Sequence, residues 1–325
     1  KEAIDAELPF YLYLSHYAIH APWEKDHRFF HRYVDAGLSE FEATYASMVE
    51  SMDKSLGDVL DLLEDEGIED ETIVLFLSDN GQPSQAPRNL PLRGHKLKPY
   101  EGGLRVPMLA RWPGITPAGA VCERVVHVDD LFPTVLELAG IPREQATGPL
   151  DGMSFVPLLR EPAALAPATP RSVFWHYPNT YDQPPYTAMR HGRWKLIYHH
   201  VDRRLELFDL ASDLGETSDL ATERPELVRS MAAQMTEHLL ETDAVMTVDK
   251  RTGLPVESPL FTLDPEGDHE PPLAEEWEWV GPVVAEEGFH VWGGSPVIGP
   301  AGRVHLFVAR WPIEARFDPG WRTVS

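Results

Sequence analysis

The sequence predicts an α/β layer followed by a small antiparallel sheet closed by a helix, and three observations carry that prediction. Two short apolar runs, residues 9–15 and 72–78, flank a long amphipathic stretch over residues 39–66. Beyond residue 170 the texture changes to short β-like runs separated by turns. A helical pattern over residues 225–241 then follows. A strand, a helix and a second strand in that order imply parallel pairing within one layer. In such layers ligands gather at the carboxyl ends of the strands.

Residues 9–15 read as a buried strand because the run is short, aromatic and ended by polar residues. In residues 39–66, Met48, Met52, Leu56, Val59, Leu60 and Leu63 recur at three- and four-residue steps, which places them on one helical face. Ser39 and Glu42 have the spacing of a capping box, and Gly67 supplies a stop. Residues 72–78 are continuously apolar, as a strand buried on both faces would be. Residues 106–111 read as a third strand. Residues 128–138 read as a helix entered through Asp129 and Asp130 and ended by Gly140 and Pro142. Residues 161–170, rich in Pro and Ala, read as a surface connection. The runs 172–177, 186–190, 194–198 and 205–209 predict a small antiparallel sheet, with residues 225–241 as its helix. Residues 248–285 hold many Pro, Glu and Asp with little periodicity and read as a linker. The chain has no internal repeat.

The 325 residues allow one large domain or two to three smaller ones, and the 43% apolar content suffices for a packed core. Lys and Arg number 28 against 52 Asp and Glu, a net charge of −24. That balance excludes a general nucleic-acid binder, because no basic excess is available to displace counterions. It leaves room for an anionic substrate, since a few convergent cations and a metal reverse the potential inside one cleft. The one cysteine, Cys122, forbids an intrachain disulfide. No run approaches the roughly 18 apolar residues of a transmembrane helix, so none is expected. Residues 1–5 lack a signal-peptide pattern and the chain does not open on Met, so it reads as cut from a longer protein.

The chemistry concentrates after the second apolar run. That run ends in Ser78-Asp79-Asn80-Gly81, followed by Leu92-Arg93-Gly94-His95-Lys96 and then Tyr100-Glu101-Gly102-Gly103-Leu104-Arg105-Val106-Pro107. Asp79 and Asn80 offer oxygens that suit a hard cation. Lys96 offers a compact fixed charge. Together they describe a site for an anionic, oxygen-rich group such as sulfate or phosphate. Each residue also has a plain structural reading: an Asx turn for Asp79-Asn80, and a solvated surface charge for Lys96. Gly102 and Gly103 serve backbone geometry, and Glu101 can pair with Arg105 or with a metal shell. His20 follows the first apolar run in Ser15-His16-Tyr17-Ala18-Ile19-His20-Ala21-Pro22, where a loop histidine can donate to an anionic oxygen or act as a general acid. It is one of 14 histidines, so a structural loop role competes.

The order and spacing of these segments resemble the type I, formylglycine-dependent sulfatase (arylsulfatase) family. The segment Ala188-Met189-Arg190-His191-Gly192-Arg193-Trp194-Lys195-Leu196-Ile197, with Glu206-Leu207-Phe208-Asp209-Leu210, resembles that family's carboxyl-terminal sheet, and the likeness spans roughly residues 9–245. It implies an alkaline-phosphatase-like α/β fold lacking its amino-terminal part over residues 1–160, and a small antiparallel subdomain over residues 171–247. It further implies that Asp79 and Asn80 bind calcium and that Lys96 and His20 hold the sulfate as catalytic groups. Residues 175–178 can line the substrate cleft in relatives, which makes His176 a candidate substrate contact beside the reading of a packed aromatic cluster. Two further acidic calcium ligands come from near the amino terminus in that family, and no candidates for them stand here. The family's Cys/Ser-x-Pro-x-Arg motif, whose Cys or Ser becomes the formylglycine nucleophile, has no match: Cys122 is followed by Glu123-Arg124-Val125-Val126. The nucleophile is therefore expected upstream of Lys1, and this chain alone is expected to be inactive. The implied substrate is a sulfate ester, extending to a sulfated polysaccharide, with a periplasmic or secreted parent.

Residues 286–325 carry a second resemblance, through Trp292-Gly293-Gly294-Ser295-Pro296 and residues 304–311, to the opening blade of five-bladed propeller glycoside hydrolases. Three other functions stay open on the sequence. One is a phosphatase or phosphodiesterase of the same superfamily, which would assemble two transition metals, whereas Asp79-Asn80 with Lys96 suits a single hard cation better. Another is a non-catalytic relic that binds sulfated glycans. The last is a glycosidase module of a fused parent.

Overall fold

The computed structural model describes residues 1–86, 89–146, 148–162, 171–180 and 183–264, and the backbone of residues 289–298 and 304–312. The chain divides into two compact units, Lys1–Gly267 and Asp268–Ser325. The first begins with helices α1 (Glu2–Asp5), α2 (Phe30–Asp35) and α3 (Glu40–Asp65) and strand β1 (Val74–Leu77). Helix α4 (Glu101–Leu104), strand β2 (Met108–Arg111) and helices α5 (Leu131–Leu138) and α6 (Val156–Arg160) follow. Strands β3 (Ser172–Tyr177), β4 (Tyr186–His191), β5 (Trp194–His199) and β6 (Leu205–Asp209) come next, then helices α7 (Pro225–Glu241) and α8 (Pro259–Leu263).

Helix α3 is the element the sequence specifies most completely. The Ser39 hydroxyl accepts from the Glu42 N–H at 3.3 Å, and the Glu42 carboxylate accepts from the Ser39 N–H at 3.0 Å, the reciprocal box expected. Glu40 and Glu42 in the first turn add negative charge where the helix dipole favours it. Of the predicted apolar face, Met48 and Leu63 are buried, while Met52, Leu56, Val59 and Leu60 are half-covered.

The strand prediction for residues 9–15 fails. That segment has no strand structure, and Phe10, Tyr11, Leu12, Tyr13 and Leu14 are all exposed. A strand needs a neighbouring ladder to satisfy its backbone, and none pairs with this run among the described residues. The expected parallel layer is also absent from the described residues. Strand β1 pairs antiparallel with β2, Val74 opposite Arg111 and Leu77 opposite Met108, in a sheet of two strands. With one partner strand, β1 is half-covered rather than buried on both faces. The chain remains a mixed α/β protein.

The second sheet follows prediction closely, its strands antiparallel in the order β3-β4-β5-β6. Its residues alternate between two covered faces. On one face Met189, Leu196, Tyr198 and Leu207 pack against Val228, Met231, Ala232, Met235 and Leu239 of α7, whose spacing makes one helical stripe. On the other face Tyr186, Ala188, Ile197 and Phe208 meet Tyr100 and Leu104, which belong to the segment after β1. The α7 face also carries a polar chain. His200, fully buried, contacts the Thr187 hydroxyl at 2.9 Å and the Thr247 hydroxyl at 2.8 Å, and Thr187 contacts His176 at 2.8 Å.

Residues 248–264 do not run free as a linker. Val248 bridges to Pro255, Val256 is buried in the core beneath α7, and the Glu257 carbonyl accepts from the Tyr198 hydroxyl at 2.8 Å. Helix α8 docks through the Leu260 N–H on the Thr236 hydroxyl at 3.0 Å. Apolar Val256, Leu260 and Phe261, which are buried or half-buried, stand among the Pro and acidic residues that suggest a linker. Most of residues 161–170 and residues 265–285 of the expected linker lie outside the described residues. The second unit shows β7 (Phe289–Ile298) and β8 (Val304–Pro312) as an antiparallel pair with a register shift between Trp292 and Gly294. The propeller-blade expectation otherwise falls largely on residues outside the described ones.

Two predictions follow from the α7 face. Met231→Ala removes a buried side chain from the helix–sheet seam and lowers unfolding free energy by about 2–5 kcal/mol, as read by denaturant titration. Burial, with the neighbouring His176 and His199, depresses His200 to about 3. The unfolded chain therefore takes up a proton near its ordinary pKa of about 6.5 that the folded chain refuses. The contribution is complete above about pH 6.5 and is lost as pH falls toward about 3, so Tm declines through that window. Replacement His200→Gln flattens this part of the Tm-versus-pH curve; an unchanged slope would place its source elsewhere.

Candidate functional site

Strand β1 delivers Asp79 and Asn80 at its carboxyl end, and a tight backbone clamp holds the next segment against them. The Gly81 N–H donates to the Gly103 carbonyl at 3.0 Å, and the Lys96 N–H donates to the Gln82 carbonyl at 2.8 Å. A side chain at Gly81 would place its Cβ 2.0 Å from the Gly102 carbonyl oxygen. At Gly102 the Cβ would lie 2.3 Å from the Gly94 carbonyl oxygen. Glycine is required at both positions because backbone meets backbone there. The Asn89 amide spans the same clamp, donating to the Gly102 carbonyl at 2.9 Å. Asp79 and Asn80 thus stand beside the Lys96 loop, as the motif order anticipated. Asp79 is exposed and Asn80 half-buried, and the Ser78 hydroxyl donates to the Asn80 carbonyl at 3.1 Å.

The charged residues flanking Lys96 are each committed to a partner. Arg93 donates to the Glu216 carbonyl at 2.8 Å and lies 3.8 Å from the centre of the Tyr100 ring. Lys98 donates to the Gln183 side-chain oxygen at 2.5 Å. Arg105 approaches Glu101 at 3.8 Å. The Lys96 ammonium has no hydrogen bond or ion pair among the described residues.

Glu101 is the deepest anchor. It is 2% exposed, and its Oε1 lies 3.0 Å from the ammonium of Lys195, which is fully buried in β5. The same ammonium lies 2.8 Å from Glu216 Oε1, at an angle off that of a hydrogen bond, and Glu216 is also fully buried. Glu216 Oε2 accepts from the Glu101 N–H at 2.7 Å. Burial pushes the Glu216 carboxyl above its ordinary pKa against the pull of Lys195. The sequence places Lys195 in a structural sheet and offers Arg105 or a metal shell as the partner of Glu101. The available signal was a lysine flanked by Trp194, Leu196 and Ile197 in a predicted strand, where an inward charge demands a buried partner.

A second tie runs through Tyr100, whose hydroxyl donates to Glu206 at 2.9 Å. Burial tends to raise Glu206, but contacts from His199 at 2.7 Å, Arg204 at 2.6 Å and Tyr100 outweigh it and hold the carboxyl at about 2.

The other two candidates make no hydrogen bond or ion pair with this clamp among the described residues. His20 lies in an exposed turn, its Nδ1 2.8 Å from the Ala21 carbonyl oxygen. A carbonyl only accepts, so Nδ1 carries the proton and Nε2 stays available. No hydrogen bond, ion pair or ring contact joins His20 to Asp79, Asn80 or Lys96 among the described residues. His176 points to the α7 face of the sheet, opposite to the face that carries Tyr100. Both its ring nitrogens are engaged, Nδ1 with Thr187 at 2.8 Å and Nε2 with the Val245 carbonyl at 3.0 Å. Strand alternation explains the outcome: Trp175 and Tyr177, one step either side, take the Tyr100 face instead.

An ammonium with no ion pair among the described residues, on a loop hydrogen-bonded to the segment that carries a carboxylate and an amide, has the chemistry to bind an anion together with a hard cation. The oxygens of Asp79 and Asn80 fit calcium in type, and calcium takes about 6–8 such ligands. No group of three or more His, Cys, Asp or Glu able to hold a metal occurs among the described residues, so the pair supplies only part of a ligand set.

Comparison with known proteins points to one family. The sulfatase family model matches residues 2–141, and the N-sulphoglucosamine sulphohydrolase carboxyl-terminal model matches residues 95–244. A sulfatase of Formosa agariphila is 34% identical over 248 residues, covering 69% of this chain and 44% of that protein. The human N-acetylgalactosamine-6-sulfatase is 38% identical over 158 residues, covering 46% of this chain and 28% of that protein. Among solved structures, Ps i-CgsB in complex with k-i-k-neocarrahexaose superposes with a TM-score of 0.65 at 28% identity, covering 73% of this chain and 51% of that one. The chain spans less than half the length of these curated relatives. Two overlapping family models, both of sulfatases, together match residues 2–244, and the sulfatase relatives agree with them: the chain belongs to the sulfatase family.

Proposed function

We propose that this chain supplies the anion-binding part of a sulfuric ester hydrolase that acts on a sulfated glycan. The observation that carries the reading is the Lys96 ammonium, unpaired among the described residues, in a loop whose other charges are engaged. A cation without partners among the described residues, beside backbone too tightly packed to shift, is preorganised for an external anion. In this reading Lys96 neutralises a sulfate oxygen and the available Nε2 of His20 donates to the ester or its leaving group. Asp79 and Asn80 would hold calcium, which when bound polarises the sulfate oxygens.

The nucleophile belongs to residues outside this sequence, since no Cys/Ser-x-Pro-x-Arg motif occurs in it. A glycan substrate is supported by the names of the relatives, including the N-acetylgalactosamine-6-sulfatase and the neocarrahexaose complex. A phosphatase with two transition metals finds less support, because the site offers an amide, one carboxylate and a lysine rather than a His-rich cluster.

Replacing Lys96 by Ala in the full-length gene product removes one charge-assisted contact. It should lower kcat/KM for an aryl sulfate by about ten- to a hundredfold, the equivalent of roughly 1.5–3 kcal/mol. Wild-type kinetics in that variant would sink the role. Replacing Asp79 by Ala should raise the calcium concentration needed for half-maximal activity, while zinc or manganese at two per chain in metal analysis would favour the phosphatase.

A further inference from the structure

We propose that Lys195 is a positioning residue: held between the buried carboxylates of Glu101 and Glu216, it fixes the 93–105 loop on the antiparallel sheet and so sets where the Lys96 ammonium stands. The proposal rests on the reading of Lys96 as the anion ligand.

The loop has few degrees of freedom left. Three residues before Lys96, Arg93 grips the Glu216 carbonyl, and five residues after it, Glu101 meets Lys195. Both anchors converge on Glu216. Its backbone holds the left-handed conformation, φ 50°, which a non-glycine residue keeps only where surrounding contacts enforce it. Arg190 and Arg105 stand 3.7 and 3.8 Å from the second oxygen of Glu101, which completes the charge around that carboxylate.

An apolar contact would also bury the loop, but it would tolerate sliding. A buried ammonium between two carboxylates does not, because any shift strands a charge away from water. Lys195 lies on the sheet face that receives Tyr100 and Leu104, opposite Phe208 in the register, so the anchor sits on a rigid four-stranded scaffold. Among the described residues the Lys96 side chain has no hydrogen bond or ion pair that could set its position independently of the loop. Misplacement of a binding group by about 1 Å can reduce rates by about a hundredfold, so the anchor governs affinity for the anion as well as stability.

The test uses inorganic sulfate titrated by calorimetry into the full-length gene product, with thermal melting under the same conditions. Wild type, Lys96→Ala, Lys195→Met and the double variant are compared. Each single variant should weaken sulfate binding about tenfold or more, and the double should bind no more weakly than Lys96→Ala alone, because Lys195 acts through Lys96. Wild-type sulfate affinity in a Lys195→Met protein that merely melts earlier would assign Lys195 to stability alone and overturn the proposal. Additive losses in the double variant would overturn it too. Unchanged affinity in Lys96→Ala, or a wild type that does not bind sulfate, removes the Lys96 reading itself, which separates the two failures. Where Lys195→Met does not fold, Glu216→Gln keeps the side-chain volume and the acceptor for the Glu101 N–H. Weakened sulfate binding in that variant supports the anchor, and wild-type affinity overturns it.

Discussion

A lysine with no exposed surface lies between two buried carboxylates, and much of the first unit is arranged around that fact. Taking three charges out of water is costly, and their mutual attraction roughly offsets the cost rather than adding stability. The gain is registry. Glu101 belongs to the segment after β1, Lys195 to the centre of the antiparallel sheet, and Glu216 to the turn after β6. Bringing the three together fixes three distant pieces of chain relative to one another. The apolar contacts of Tyr100 and Leu104 on Ile197 and Phe208 supply the burial that makes the ion cluster unforgiving.

The same arrangement explains how an acidic chain can present a site for an anion. The net charge is −24, yet the loop beside Asp79 carries Arg93, Lys96, Lys98 and Arg105. Three of those cations are consumed in holding the loop to carbonyl, amide and carboxylate groups. Lys96 has no such partner among the described residues. Electrostatic recognition is set by the local arrangement of a few fixed charges rather than by the overall balance, and the glycine clamp ties the loop that carries Lys96 to the segment after β1.

Legibility in the sequence varied with the kind of residue. The closeness of the Lys96 loop to the segment after Asp79 and Asn80 is legible because both lie within one stretch of motif, where the glycines announce close backbone approach. His176 was drawn to the site by its neighbours, yet one step along a strand reverses the face, and its nitrogens serve Thr187 and Val245 instead. Lys195 was passed over as structural because its partner Glu101 lies 94 residues away. Residues 248–264 read as linker because they show little periodicity and open a span, 248–285, rich in Pro, Glu and Asp.

What the sequence determined by itself is local. The capped helix α3, the four short strands of the second sheet, the stripe of α7 and the order of the site motifs all follow from residues a few positions apart, where propensity, capping and periodicity act. Tertiary structure decided the rest: the antiparallel pairing of β1 with β2, the exposure of residues 9–15, the face taken by His176 and the joining of Glu101, Lys195 and Glu216. Those outcomes depend on which surfaces are available to bury a strand or neutralise a charge. Such surfaces are assembled from residues far apart in the chain, so no local pattern contains them.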